Sequence, residues 1–294
     1  VCLLGLLQWF LPKDILGYFG YSVELGVKPN FFINENPSYP RVFSTLRDPN
    51  SLGAYLIVPI MLIIQLLIKA KNKLMLAGLF ALHLLILFLS FSRASWVGLI
   101  IALTCLVALN HKTKAMSILK KYWAVLCCLL ILMSVLIASI SQTSVFRSII
   151  LKANDSNSMQ ELDSDELHVD FVKKGVTDII KNPFGDGPGT AGIVSIQNKN
   201  GGRLTENYYI QIALEVGIVG LIVFLSIWFL VNKKLLSQPQ SILNSTLLCA
   251  TAGYVVMALV MHLWANEAVA YTWWGLAGLV IYINTAKITK ENQN

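Results

Sequence analysis

The sequence predicts an all-α integral membrane protein, a polytopic helix bundle with one large outer loop, and three observations predict it. Hydrophobic residues make up 55% of the 294 and charged residues only 13%, about half the charged share of a soluble domain. Apolar runs of 16 to 24 residues recur at 49–68, 74–91, 94–109, 122–140, 208–231, 242–263 and 268–283, against the ~20 residues that cross a bilayer as a helix. The connections between those runs alternate in charge. Seven spans follow, each helical because a lipid-exposed backbone must satisfy its own hydrogen bonds. An eighth run at 1–11 is too short to span, lacks an initiator Met and has no basic stretch before it. It reads as the end of a helix whose start is missing, which makes about eight spans with the first truncated.

Charge sets the orientation. The connections at 69–73, 111–121 and 232–241 and the tail from 284 carry eleven lysines and one acid, Glu291. The other side carries seven lysines, five arginines and fifteen acids. The positive-inside rule places the first group in the cytoplasm. The formal charge of +7 is accounted for by this asymmetry, with no nucleic-acid partner. The chain then divides into membrane helices at 1–141 with an outer loop at 13–48, a large extracytoplasmic loop at 142–205, and three membrane helices with a cytoplasmic tail at 206–294. The chain is thus read as multi-pass, with membrane lipids around the bundle and the large loop outside the cytoplasm.

All five arginines, Arg41, Arg47, Arg93, Arg147 and Arg203, fall on the outer side. Arginine offers a planar, always ionised fork to phosphate, whereas lysine is a point charge that suffices for orientation. In the outer loop at 13–48 no periodicity is visible. At its end Asp48-Pro49 marks a helix start, with an acceptor at the N-cap and proline at the first helical position. Arg41 and Arg47 stand just above that start, where the exposed N–H groups favour an anion. Phosphate binding and plain interface anchoring both fit them. Arg93 sits in the tight turn Ser92-Arg93-Ala94-Ser95-Trp96, a costly place for a charge unless a partner or a wet cavity receives it; Trp96 reads as an interfacial anchor.

The polar interval 141–209 is the one long break in the apolar pattern. Ser164 and the acids after it open an amphipathic helix, with Leu167, Phe171, Val172, Val176, Ile179 and Ile180 at three-to-four spacing and Asn182-Pro183 ending it. Gly185, Gly187 and Gly189 follow, permitting tight turns and close approach to a ligand. No nucleotide-loop motif is present, so the cluster is not a P-loop. Glu206 and Asn207 open the next span. Glu206 reads as dipole-stabilised in a first helical turn or as a general base in a partly dry site. Glu215, deeper in the same run, must be paired or hydrated. His83 and His262 read as hydrogen-bonded packing residues, and the five cysteines as core or lipid-facing. No His, Asp or Glu set has metal-ligand spacing, and no metal or cofactor is expected.

Three segments together resemble the O-antigen ligase and O-antigen polymerase family of bacterial membrane glycosyltransferases: Arg41 through Leu56 with its Pro49-Asn50 pair; Ser92-Arg93 at a tight outer turn; and Asn182-Pro183-Phe184-Gly185-Asp186-Gly187-Pro188-Gly189-Thr190 followed by Glu206-Asn207-Tyr208-Tyr209 and Glu215-Val216-Gly217-Ile218-Val219-Gly220. The resemblance covers 41–220. It implies a metal-independent transferase that takes an undecaprenyl-diphosphate-linked oligosaccharide donor and passes its glycan to a glycan or lipid-glycan acceptor. Arg41 and Arg93 match the family's positions best and would act with Glu206 in catalysis. Arg47, Arg147, His168, Gly187, Gly189, Arg203 and Asn207 would bind substrate. Glu206 stands where ligases acting on lipid A core carry a histidine, which leans towards a polymerase or another acceptor and leaves the base open. His168 stands where many members have an arginine. The competing reading is a transporter or flippase of a lipid-linked glycan or an anion, which would place polar groups or broken helices near the midplane and show internal repeats; no repeat is visible, and the arginines gather at one face.

Overall fold

The computed structural model describes residues 1–109, 164–197 and 202–291, apart from positions 14, 23, 26, 27, 34, 35 and 72. Among them are eight α-helices: α1 (Cys2–Phe10), α2 (Pro49–Lys69), α3 (Leu74–Leu89), α4 (Arg93–Leu109), α5 (Ser164–Lys181), α6 (Tyr208–Leu236), α7 (Ile242–Met257) and α8 (Glu267–Glu291). The mostly helical fold is as expected. A small departure is an antiparallel hairpin in the outer loop, β1 (Phe32–Ile33) and β2 (Asn36–Pro40). Its prolines are tolerated because a two-stranded sheet is all edge.

Two helices, Pro49–Lys69 and Tyr208–Leu236, are long and apolar enough to cross a membrane. Leu74–Leu89, Arg93–Leu109 and Ile242–Met257 are apolar but shorter. The apolar run at 122–140 lies outside the described residues, as does the segment 141–163. The run at 242–263 leaves the helix early, at Met257. There the Ala258 carbonyl accepts from the Tyr208 N–H at 2.9 Å, so the end of α7 satisfies an orphan donor at the start of α6. The chain then makes a 3-10 turn at Leu263–Ala265 and reaches Asn266, whose side chain accepts from the Val269 N–H at 3.2 Å and caps α8. In the other direction α6 outlasts its apolar run and ends beyond Lys233 and Lys234, cations that suit a helix C-terminus.

Helix α2 is the hub, packing against α3, α4, α7 and α8, with Leu52, Leu56, Ile57, Ile60 and Met61 wholly buried. Between apolar helices in lipid there is little hydrophobic drive, so close packing and interhelical hydrogen bonds carry the association. Gln65 Nε2 donates to Thr246 Oγ1 at 2.7 Å, and Tyr254 Oη donates to the Ala54 carbonyl at 3.1 Å, both joining α2 to α7. Helices α4 and α7 meet backbone to backbone: a Cβ on Gly253 would lie 2.4 Å from the Gly98 carbonyl oxygen. Cys2 and Cys249 are buried and Cys105 is half-buried, as packing residues should be.

Helix α6 is broken at Gly217, where φ is 73° and ψ 177°. The loop after α5 repairs the break with its own backbone. Asp186 N–H donates to the Leu214 carbonyl at 2.8 Å, Gly187 N–H to the Glu215 carbonyl at 2.9 Å, and Ile218 N–H to the Pro183 carbonyl at 2.9 Å. Groups that a continuous helix would pair internally are thus paired with the loop, as a non-helical backbone near lipid requires. The approach is so close that a Cβ on Gly185 would lie 2.5 Å from the Gly217 nitrogen, and one on Gly217 2.6 Å from the Phe184 carbonyl carbon.

The amphipathic helix of the polar interval is α5, which ends directly before Asn182 as the Asn-Pro pair predicts. It rests on α6, with Ile179 packed against a buried cluster of Ala191, Ile210 and Leu214. Val172, Val176 and Ile180 remain exposed.

Candidate active site

The site begins with Arg41. Its backbone N–H continues the hairpin by donating to the Phe31 carbonyl at 2.9 Å, and Val42 N–H donates to the Leu89 carbonyl at 3.0 Å. The end of β2 is thereby stitched to the C-terminus of α3. The Arg41 side chain completes the stitch: Nε donates to the Ser90 carbonyl at 3.0 Å, and Nη2 to the Phe91 carbonyl at 3.3 Å and to Asn50 Oδ1 at 3.0 Å. A guanidinium on the orphan carbonyls of a helix end is favourable for both the hydrogen bonds and the dipole. Phe91 is held in the left-handed region, φ 49°, a strained setting for a bulky residue. The turn delivers Arg93 as the first residue of α4. Ser92 and Ser95 close it with a hydroxyl contact of 2.8 Å. Trp96 braces this hairpin, donating from Nε1 to the Leu87 carbonyl at 3.3 Å and stacking on Phe88.

Arg47 precedes the start of α2, which is built as the sequence suggested. Asp48 Oδ1 accepts from the Asn50 and Ser51 N–H groups at 2.8 and 2.9 Å, and Oδ2 from Ser51 Oγ at 2.6 Å. On the other side, Gln8 of α1 accepts at Oε1 from the Phe43 and Ser44 N–H groups, which fixes Ser44 at its own left-handed φ of 56°.

These pieces enclose a cavity of about 870 Å³ whose wall includes Arg41, Arg47, Arg93 and Glu206. Lys28 adds a fourth cation, and Asp48 is the second carboxylate. The cationic excess lies at the N-terminus of α2, where Pro49, Asn50 and Ser51 also line the wall, so charge and helix dipole act together. Burial lowers the pKa of Arg41 to about 10; Asp48 opposes the shift and the neighbouring charge of Arg93 adds to it. Arg41 remains a cation at neutral pH. Val256, Met257, Val260 and Met261 also line the cavity, with His262, Asn266 and Gln211. What this chamber can do is hold a multiply charged anion beside an apolar surface, with a carboxylate at hand.

The remaining expected residues lie elsewhere. Asn207 does not line the cavity; it is the N-cap of α6, accepting at Oδ1 from the Ile210 N–H at 3.1 Å. Glu206 therefore precedes the cap, and its reading as a first-turn residue is corrected: the helix begins only at Tyr208. Arg203 is bound by acids, contacting Asp186 and lying 4.0 Å from Asp178. Asp186 is held below its ordinary carboxylate range by Arg203 and then by Asn182. Gly187 and Gly189 are also outside the cavity wall, and Gly187 spends its N–H on the break in α6. His168 falls in α5, with its side chain outside the described residues, and Arg147 lies outside them altogether. His83 bonds the Leu79 carbonyl at 2.7 Å, as a packing histidine would. His262 lies past the end of α7 and lines the cavity. Glu215 has its required partner in Gln211, whose Nε2 donates to Oε1 at 3.3 Å.

The family model described as O-antigen ligase matches residues 78–225, half of the chain's 294 residues. The chain belongs to the O-antigen ligase family. It is therefore a membrane protein of the O-antigen ligase type of glycosyltransferase, a class that takes a lipid-linked glycan donor and a glycan acceptor. No curated protein matches it. The match includes Arg93, Glu206 and Glu215 but begins after Arg41 and Arg47, so what brings those two arginines to the ligase-family segment is the geometry of the cavity.

Proposed function

We propose that the chain polymerises or ligates a surface polysaccharide from an undecaprenyl-diphosphate-linked glycan, at the outer face of the cytoplasmic membrane and without a metal. The observation that carries this is the convergence of Arg41, Arg47, Arg93 and Glu206, spread over 166 positions of sequence, on one cavity. An acceptor sugar hydroxyl attacks the anomeric carbon of the donor, the bond from that carbon to the phosphate oxygen breaks, and undecaprenyl diphosphate leaves. Preorganised cations stabilise the charge that grows on the leaving oxygen: Arg93 and Arg47 as direct partners, with Arg41 positioning Arg93 through the turn it clamps. Glu206 accepts the acceptor's proton. The seven spans and the outer position of the loops at 13–48 and 142–205 belong to this reading, as do the substrate-side roles for Arg147 and His168. Gly187, Gly189, Arg203 and Asn207 serve it indirectly, by holding the loop and the start of α6.

The test is glycan transfer by the purified full-length protein in detergent, with chelator, from undecaprenyl-diphosphate-linked glycan. Lengthened lipid-linked product identifies a polymerase, and transfer to a different acceptor a ligase. Arg93→Lys keeps the charge but not the fork, and should lower kcat by tenfold or more, a loss of about 1.4 kcal/mol in transition-state binding. Full activity in that variant would end the bidentate role. Glu206→Gln is nearly isosteric and should lower kcat by roughly 100-fold, the low end for a general base; unimpaired turnover would remove Glu206 as the base. Binding of lipid-linked glycan with no transfer at all would favour a transporter.

A further inference from the structure

Among the polar side chains that line the cavity, Gln211 takes no part in the transfer chemistry. Gln211 lies in the first turns of α6, lines the cavity, and is only 6% exposed. Its Nε2 donates to Glu215 Oε1 at 3.3 Å, while its Oε1 has no hydrogen-bond partner among the described residues. A buried amide oxygen without a partner is costly. That contact sets the orientation of the amide: the nitrogen donates to Glu215 and the oxygen faces away from it. A second element fixes the side chain from the loop side. Gly192, at φ 72°, lies against it so closely that a Cβ there would be 2.5 Å from the Gln211 amide carbon. Gly192 is in turn tied down through its N–H to the Arg203 carbonyl at 2.9 Å.

We propose that Gln211 reads a hydroxyl of the glycan in the cavity, and that Glu215 and Gly192 are positioning residues that hold its amide oxygen for that purpose. An unsatisfied acceptor selects a donor. A sugar–diphosphate diester is fully ionised at neutral pH and offers acceptors only, so the Gln211 amide oxygen cannot serve the diphosphate, which Arg47 and Arg93 serve. A sugar offers hydroxyls. The cavity is thus divided by chemistry into a phosphate part at the start of α2 and a sugar part against the start of α6. The assignment also gives Glu215 a purpose: a carboxylate within an apolar helix is costly, and here it orients the amide that selects the sugar. This inference rests on the glycosyl-transfer reading, and its test is separable from that reading.

The experiment uses full-length protein in nanodiscs and two probes: undecaprenyl diphosphate, which has no sugar, and undecaprenyl-diphosphate-linked glycan extracted from the source cells. Gln211→Met keeps the length and removes the amide. It should bind the sugar-free lipid within twofold of wild type, which also reports an intact fold. Either its affinity for the glycan-bearing lipid falls on the order of tenfold, the worth of one neutral hydrogen bond, or its KM for acceptor rises by that factor at unchanged donor affinity. The first result places the hydroxyl on the donor, the second on the acceptor. Glu215→Leu should reproduce the effect, whereas Glu215→Gln, which keeps an acceptor for the Gln211 amide, should stay within twofold of wild type. Unchanged donor affinity and acceptor KM in Gln211→Met, or an equal loss for both lipids, would overturn the proposal. If Arg93→Ala left the binding of sugar-free undecaprenyl diphosphate unchanged, the diphosphate reading would fail instead, whatever Gln211 does.

Discussion

Arg41 combines two tasks in one side chain. Its Nε and Nη2 are committed to the Ser90 and Phe91 carbonyls and to Asn50, so the residue that sequence offered as a phosphate ligand is first a clamp on the turn before Arg93. A lysine cannot make this fork, since its ammonium is a point charge on a flexible stem. Arg41→Lys should therefore lose about 1.5–3 kcal/mol of stability, the range for a hydrogen bond to a charged group, measurable as a lower Tm. Its effect on anion binding should depend on pH. Burial is the largest cause lowering Arg41 to about 10, and a base whose pKa is lowered loses its charge as pH rises. In the wild type, binding of the glycan-bearing lipid, whose diphosphate diester has a constant charge, should stay flat from pH 6 to 9 and weaken as pH passes about 10. Lysine starts from a lower intrinsic value and shifts more readily when buried, so the Arg41→Lys profile should bend at lower pH. Coincident profiles for the two proteins would show that Arg41 does not face the anion.

At the scale of the elements, the break in α6 is what joins the loop to the bundle. Gly217→Ala places a Cβ at φ 73° and ψ 177°, about 1–3 kcal/mol of backbone strain before any contact, and within 2.6 Å of the Phe184 carbonyl carbon. The loop must then withdraw. Amide exchange at Asp186, Gly187 and Ile218 should accelerate at least tenfold while the amides of α2 are unchanged; equal protection would mean the docking is not needed to hold the loop. This junction also shows where the sequence was readable. Asp48-Pro49 announced the start of α2 because a cap is local chemistry, and α5 was visible because its apolar face repeats along a single helix. The break could not be seen, because Glu215-Val216-Gly217-Ile218-Val219-Gly220 reads as continuous apolar helix until the backbone of Pro183 through Gly187 arrives from thirty positions away. The early end of α7 was hidden for the same reason, and with it the place of His262 and Asn266 in the cavity. The one local signal was the Asn266-Glu267 pair, a helix start two residues before the apolar run resumes.

Across the whole molecule, the cations are sorted by kind rather than by number. The helix ends at Lys69 and Lys233-Lys234 carry lysines alone, and the opposite ends carry Arg47, Arg93 and Arg203. The cavity lies at the arginine end, where α2 and α4 both begin and α7 stops. An interfacial transferase needs this arrangement, since its lipid-linked donor presents its diphosphate at one membrane surface only. On the transferase reading, the exposed apolar side of α6, including Ile222, Val223, Phe229 and Leu230, would face lipid chains. The sidedness is open to direct measurement. In a background with the native cysteines changed to alanine, a single cysteine introduced at Ser156 or Ser158 should react with an impermeant maleimide on intact cells. One at Ser237, exposed at the lysine end of α6, should react only after permeabilisation. The reverse pattern would put the arginine cavity in the cytoplasm, where a transferred polysaccharide would be made on the wrong side of its own membrane, and the transferase reading would have to give way.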